Sequence, residues 1–261
     1  MEAEELKGKV ALVTGSAQGI GKEIVRKLAK FGARVVATDK NIEKLQMLKE
    51  KLQSKGLDVT VYEIDVSNYK EVNKKVDLVE EQIGPIEILI NVAGILKMDT
   101  IESIREKDWN DIFSVNSTGV FNVSQAVSKK MILRQGGNIV TIGSNAAHVP
   151  RVSMAAYAAS KAAATMFTKC LGLELAKHNI RCNLVSPGST DTEMQWSLWD
   201  SDKGAETVIQ GTPENFKVGI PLKKIAKPSD IANAVLFLIS SQASHITMND
   251  MCVDGGATLG A

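Results

Sequence analysis

The chain has 261 residues, 44% of them hydrophobic and 23% charged, enough to bury a sizeable core in one large α/β domain or two small ones. Its 31 Lys and Arg nearly cancel its 30 Asp and Glu, so no basic field recommends a nucleic acid partner and no acidic excess recommends disorder. A small-molecule partner is expected. The cysteines, Cys170, Cys182 and Cys252, are odd in number and far apart, with no Cys-x-x-Cys pair and no histidine at zinc spacing. They read as buried thiols in a reducing, cytoplasmic compartment, with no metal site.

The N-terminal MEAEELKGK is acidic, and the first apolar run, VALVT at 10–14, is short and broken by Thr14 and Gly15. That composition fits neither a signal peptide nor a membrane span. VALVT is instead the first of six short runs rich in Val and Ile. The others are RVVAT (34–38), VTVYEI (59–64), IEILI (86–90), NIVTI (138–142) and IRCNLVS (180–186). Longer stretches of helical period lie between them. GKEIVRKLAKFG places apolar residues at 24, 25, 28 and 31, and IEKLQMLKEKLQSKG gathers Ile42, Leu45, Leu48 and Leu52 on one side. Gly32 and Gly56 close these two helices. Strands alternating with helices predict a doubly wound parallel sheet with helices on both faces, in one α/β domain spanning 1–261. One segment breaks the rhythm. Residues 190–220 are polar and turn-rich yet carry Met194, Trp196, Trp199 and Phe216, the composition of a substrate lid or of an ordinary loop with partly buried aromatics.

The first predicted strand runs into Thr14-Gly-Ser-Ala-Gln-Gly-Ile-Gly21 and then a helix. Gly15, Gly19 and Gly21, with Gln18 and Ile20 between them, thus sit where backbone N–H groups and a helix dipole suit a pyrophosphate. The spacing is Gly-x-x-x-Gly-x-Gly, so its position after a strand carries more weight than the motif. Asp39 ends the second strand, 18 residues past Gly21, where a carboxylate accepts from both adenosine ribose hydroxyls and repels a 2′-phosphate. It argues for NAD over NADP, with Lys40 as a mild counter-signal and helix capping as the alternative for Asp39. Asp65 and Val66 close the third strand, and Asn91, Ala93 and Gly94 the fourth; both ends are expected to open on one crevice.

TGSAQGIG, the Asn91-Val-Ala-Gly94 turn, Asn116, Ser144, Tyr157-x-x-x-Lys161 and Pro187-Gly188, taken in this order and spacing over essentially the whole chain, resemble the short-chain dehydrogenase/reductase family. Where the family usually has Asn-Asn-Ala-Gly, this chain has Asn-Val-Ala-Gly, a departure expected to alter local packing. The resemblance implies a Rossmann fold, NAD(P)-linked oxidoreduction and a homotetramer packed through helices at about 101–133 and 154–178. It also implies that Ser144 hydrogen-bonds the reacting oxygen, that Lys161 holds the nicotinamide ribose and that Asn116 anchors a water linked to Lys161. Pro187 and Gly188 are expected to approach the nicotinamide, and Thr190 and Thr192 to cap a helix or contact phosphates. Independently of the family, Tyr157 and Lys161 are four apart and share a helix face. An ammonium there, added to the charge of an oxidised nicotinamide, is expected to depress the Tyr157 pKa so that the phenolate accepts a substrate proton.

AGILKM (93–98), SNAAHVPR (144–151), FKVGIPL (216–222) and the terminal DGGATLGA resemble the branch of the family that oxidises a carboxylated cyclohexadiene diol in siderophore biosynthesis. A carboxylate needs a cation, so Arg151 is expected to pair with it directly or through water, the alternative being a neighbouring backbone or subunit; His148 is expected to lie near it or to make a structural hydrogen bond, and Met154, Gln195 and Trp199 to shape the pocket. The resemblance also raises contact with downstream siderophore enzymes. Two rivals remain: a β-ketoacyl carrier-protein reductase using NADPH, against which Asp39 and the lack of a basic residue at 18 speak, and a silent dinucleotide sensor, which the complete Ser-Tyr-Lys set disfavours.

Overall fold

Strand β1 (Val10–Thr14) is buried at every residue, and its side chains divide between two cores: Ala11 and Val13 pack on one face, Val10 and Leu12 on the other. A strand covered on both faces needs apolar residues in succession, which is why Val10 to Val13 run without a polar residue. In the computed structural model, which describes residues 5–199 and 204–260, the chain continues through α1 (Gly19–Lys30), β2 (Arg34–Asp39), α2 (Ile42–Gln53), β3 (Val59–Glu63) and α3 (Tyr69–Gln82). Then come β4 (Ile86–Asn91), α4 (Glu106–Phe113), α5 (Val120–Arg134), β5 (Gly137–Ile142), α6 (Ala155–Leu175) and β6 (Ile180–Pro187). Short helices α7 (Glu193–Trp196) and α8 (Gly204–Gln210) precede α9 (Pro228–Ile239) and β7 (Asp250–Val253).

The seven strands among the described residues are all parallel, in the order β3-β2-β1-β4-β5-β6-β7. Leu28 of α1, Leu45 of α2 and Val235 of α9 fill the core on one side, and Val76 of α3, Val127 of α5 and Leu175 of α6 the core on the other. Each fully buried aliphatic side chain contributes ~2 kcal/mol, so the sheet sandwiched between two helical layers carries most of the stability. Gly32, at φ +86°, closes α1 as expected, in a conformation that strains any L side chain. The chain order reverses between β1 and β4, and the carboxyl ends of these strands open the crevice in which such sheets bind ligands.

Three expectations need correction. A seventh strand, β7, pairs with β6 beyond the six apolar runs. It is a four-residue edge strand with only partial burial, so Asp250 and Cys252 are tolerated and the apolar signature is missing. The cysteines are not all buried. Cys170 is exposed on the outer face of α6 and Cys252 on β7, whereas Cys182 is buried, its thiol pushed up to about 12 by desolvation. Finally, Ser114–Gly119, inside the predicted helical stretch, forms a π-helical turn between α4 and α5. The first part of the acidic N-terminus (1–4) and residues 200–203 of the 190–220 excursion lie outside the described residues, as does residue 261.

Candidate active site

The turn from β1 into α1 is built for close approach. A Cβ on Gly15, whose φ is +63°, would come within 2.6 Å of the Ala93 backbone, so only glycine lets the ends of β1 and β4 meet. Thr14 Oγ1 accepts from Val92 N (3.0 Å) and Ala93 N (3.2 Å), and the Val92 that departs from the family pattern packs partly buried against the core. The Gln18 side chain does not cap α1, and no acid lies in its first turn. The leading N–H groups are therefore left to an anion, and Gly15, Gly19, Ile20 and Gly21 all line the crevice.

Asp39 is held by two backbone donors: Ala17 N to Oδ2 at 3.1 Å and Asn41 N to Oδ1 at 3.0 Å. It does not cap α2, because Asn41 does so by accepting from Lys44 N (2.9 Å). Lys40 is drawn to Asp65 (3.2 Å), and Gln18 Oε1 accepts from Lys44 Nζ (2.7 Å). The lone pairs that Asp39 keeps, with the uncapped α1 terminus, fit a dinucleotide's ribose and pyrophosphate.

Across the crevice, Ser144 follows β5, and Tyr157 and Lys161 lie one turn apart on α6, both buried. Lys161 Nζ donates to Ile142 O (2.8 Å) and stands 5.9 Å from the centre of the Tyr157 ring. The expected depression of Tyr157 is not a property of the chain by itself. Burial raises its phenol, an effect that the neighbouring Ser144 hydroxyl partly opposes, and the same burial lowers Lys161 from 10.5 to about 8. Desolvation is the larger effect on both groups because both are buried, and the ammonium is already engaged by the Ile142 carbonyl.

Asn116 sits on the π turn and lies behind the crevice. Its Oδ1 accepts from Ile95 N (2.8 Å), and its Nδ2 donates to Ile95 O (2.9 Å) and Ser160 Oγ (3.0 Å). The Asn116 side chain thus clamps the β4 turn to α6. Asn91 is likewise internal, with Nδ2 donating to Ser124 Oγ (2.9 Å).

The crevice, of about 1070 Å³, gathers Asp65, Val66, Ala93, Gly94, Ser144, Arg151, Met154, Tyr157, Lys161, Pro187, Gly188, Thr190, Thr192, Gln195 and Trp199. Thr192 also caps α7 by accepting from Gln195 N (3.3 Å), one of the two roles expected for it. His148 is the exception among the expected substrate residues. It does not line the crevice, and its Nε2 lies 2.8 Å from Asp250 Oδ2. Asp250 Oδ1 accepts from Ser186 Oγ (2.5 Å), and Asp254 Oδ2 accepts from Asn145 Nδ2 (3.3 Å). Two aspartates at β7 therefore hold the loop that bears Ser144. A third, Asp108 on α4, takes Lys97 and Arg105 (2.6 Å for the latter), and these cations keep its carboxyl at about 2. Isolated aspartates leave no local pattern, so sequence reasoning missed all three. Among the described residues no group of His, Cys, Asp and Glu could hold a metal, and no helix is long and apolar enough to cross a membrane.

A doubly wound sheet with a phosphate-binding turn and, facing it, a buried hydroxyl, phenol and amine defines a nucleotide-dependent oxidoreductase. The family described as short chain dehydrogenase matches residues 9–203, and the chain belongs to it. The chain is 58% identical to the 2,3-dihydro-2,3-dihydroxybenzoate dehydrogenase of Bacillus subtilis (strain 168), over 100% of both chains. It is 45% identical to the vibriobactin-specific enzyme of the same name from Vibrio cholerae serotype O1, over 99% of both. The solved gluconate 5-dehydrogenase from Burkholderia cenocepacia J2315, in complex with NADP and tartrate, superposes with a TM-score of 0.90 at 32% identity, each chain covered to 98%.

Proposed function

We propose that this chain is an NAD-dependent dehydrogenase that oxidises 2,3-dihydro-2,3-dihydroxybenzoate to 2,3-dihydroxybenzoate. The observation that carries the reading is its full-length similarity, at 58% identity, to a relative bearing that activity. Ser144, Tyr157 and Lys161, converging on one crevice, support it.

NAD, when bound, supplies the hydride acceptor and a positive charge. Tyr157 takes the proton of the substrate hydroxyl as hydride leaves the same carbon, Ser144 hydrogen-bonds the reacting oxygen, and Lys161 steadies the developing phenolate and the ribose. The product ketone enolises to an aromatic ring, which makes the direction effectively irreversible. Gly15, Gly19 and Gly21 hold the pyrophosphate, and the Asp39 carboxylate selects NAD because it repels a 2′-phosphate. Arg151 pairs with the ring carboxylate, while Met154, Gln195 and Trp199 shape the pocket beneath a lid formed by 190–220.

The protein acts in the cytoplasm as a homotetramer and passes its product to later siderophore enzymes. Supporting the assembly, Met166 (61% exposed) and Leu173 (70%) leave an apolar stripe on α6, and Phe121 of α5 meets Phe167 edge-on. The test is incubation with the diol acid and NAD, with the product identified by mass. Aromatic 2,3-dihydroxybenzoate from the wild type, and none from Tyr157→Phe, is expected; turnover undiminished in that variant would refute the assignment.

A further inference from the structure

Lys217 has no part in the chemistry above, yet its side chain lines the crevice together with that of Arg151. It is half-buried and lies outside the regular elements, pinned by its backbone. Lys217 N donates to Thr212 O (3.1 Å), and Thr212 N donates to Lys217 O (2.9 Å). Among the described residues, neither the Lys217 ammonium nor the Arg151 guanidinium has a hydrogen bond or an ion pair. Burial lowers the Lys217 pKa, and the positive charge of Arg151, on the same crevice, adds to that effect. Like charges gathered in a partly desolvated place raise the free energy of the chain, and an anion between them relieves it. The lining of the same crevice also buries Trp199 Nε1, a donor, and Thr212 Oγ1 without partners.

We infer that Lys217 is the lid-borne half of a two-cation subsite that receives the substrate carboxylate jointly with Arg151. The inference rests on the proposed function and deepens it. The planar Arg151 fork suits both oxygens of a carboxylate, and an ammonium supplies a compact charge on a flexible stem. Arg151 belongs to the loop leading into α6, and Lys217 to the 190–220 excursion. A carboxylate held by both ties the lid to the catalytic helix and fixes which ring edge meets Tyr157. A substrate without the carboxylate loses this tie, so the subsite sets specificity.

The test compares the diol acid with the carboxylate-free cyclohexadiene diol, each with NAD, in the wild type, Lys217→Gln and Lys217→Arg. Lys217→Gln is expected to raise KM for the acid about tenfold or more while leaving KM for the neutral diol and for NAD unchanged, and Lys217→Arg to restore the acid's KM. If the Gln variant folds poorly, Lys217→Met, which keeps the apolar stem, gives the same comparison. Equal rises for acid and neutral diol, or no rise for either, overturn the inference. Calorimetric binding of 2,3-dihydroxybenzoate to the wild type separates the two failures. A wild-type chain that neither binds nor oxidises these acids overturns the proposed function and the subsite together. Wild-type activity with an unaltered Lys217→Gln overturns the subsite alone.

Discussion

Burial acts on Tyr157 and Lys161 in opposite senses, raising the phenol and lowering the ammonium to about 8. For Lys161 the consequence for stability has a definite sign. Between about 8 and 10.5 the unfolded chain keeps a proton that the folded chain has released, so stability from this group rises with pH through that window. The full difference corresponds to ~3 kcal/mol. Urea unfolding of the wild type relative to Lys161→Met, followed from about pH 7 to about pH 10, is expected to show this rise; parallel profiles would contradict it. Arg151→Ala is expected to raise KM for the acid by about tenfold or more with NAD affinity unchanged, measured by steady-state kinetics. The sequence revealed residue types and spacing, which is enough to pick out Ser144, Tyr157, Lys161 and Arg151. It did not reveal that Lys161 aims at Ile142 O, because the direction of a side chain depends on what packs around it.

At the scale of elements, legibility follows burial. Strands β1 to β6 were readable because each buries apolar residues, even the edge strand β3 through Val59 and Val61, whereas no residue of the other edge strand, β7, is buried and it was not. The missed strand helps to hold the Ser144 loop, through Asp250 with His148 and, just past its end, Asp254 with Asn145, while Asp250 also takes Ser186 of β6. His148 therefore belongs to the scaffold. Asp250→Ala leaves His148 and Ser186 without their acceptor, at a cost of about 2 kcal/mol in stability. It is expected to lower kcat about tenfold with KM for NAD unchanged, because the displaced loop carries Ser144 and not the nucleotide turn. A variant with lowered melting temperature but normal kcat would restrict β7 to a purely structural role. The π turn was also illegible, since one extra residue within a helical stretch leaves no periodic mark in SVNSTG. Its extra residue brings Asn116 against Ile95 and Ser160.

For the whole molecule, the sheet order places the turn after β1 opposite α6, so a nucleotide bound at one would face Tyr157 and Lys161 at the other. If the proposed homotetramer packs through the apolar stripe on α6, Leu173→Glu, at a position 70% exposed, is expected to give smaller species in sedimentation while preserving the fold. An unchanged sedimentation coefficient would place the interface elsewhere. The central claim, oxidation of a carboxylated cyclohexadiene diol by NAD, is tested most directly by following reduced nicotinamide by absorbance. The purified chain is given 2,3-dihydro-2,3-dihydroxybenzoate with NAD or NADP and, separately, a β-ketoacyl thioester with NADPH. The account predicts rapid reduction of NAD by the diol acid and a much lower kcat/KM with NADP. No signal with NAD, or faster turnover of the thioester with NADPH, would contradict it.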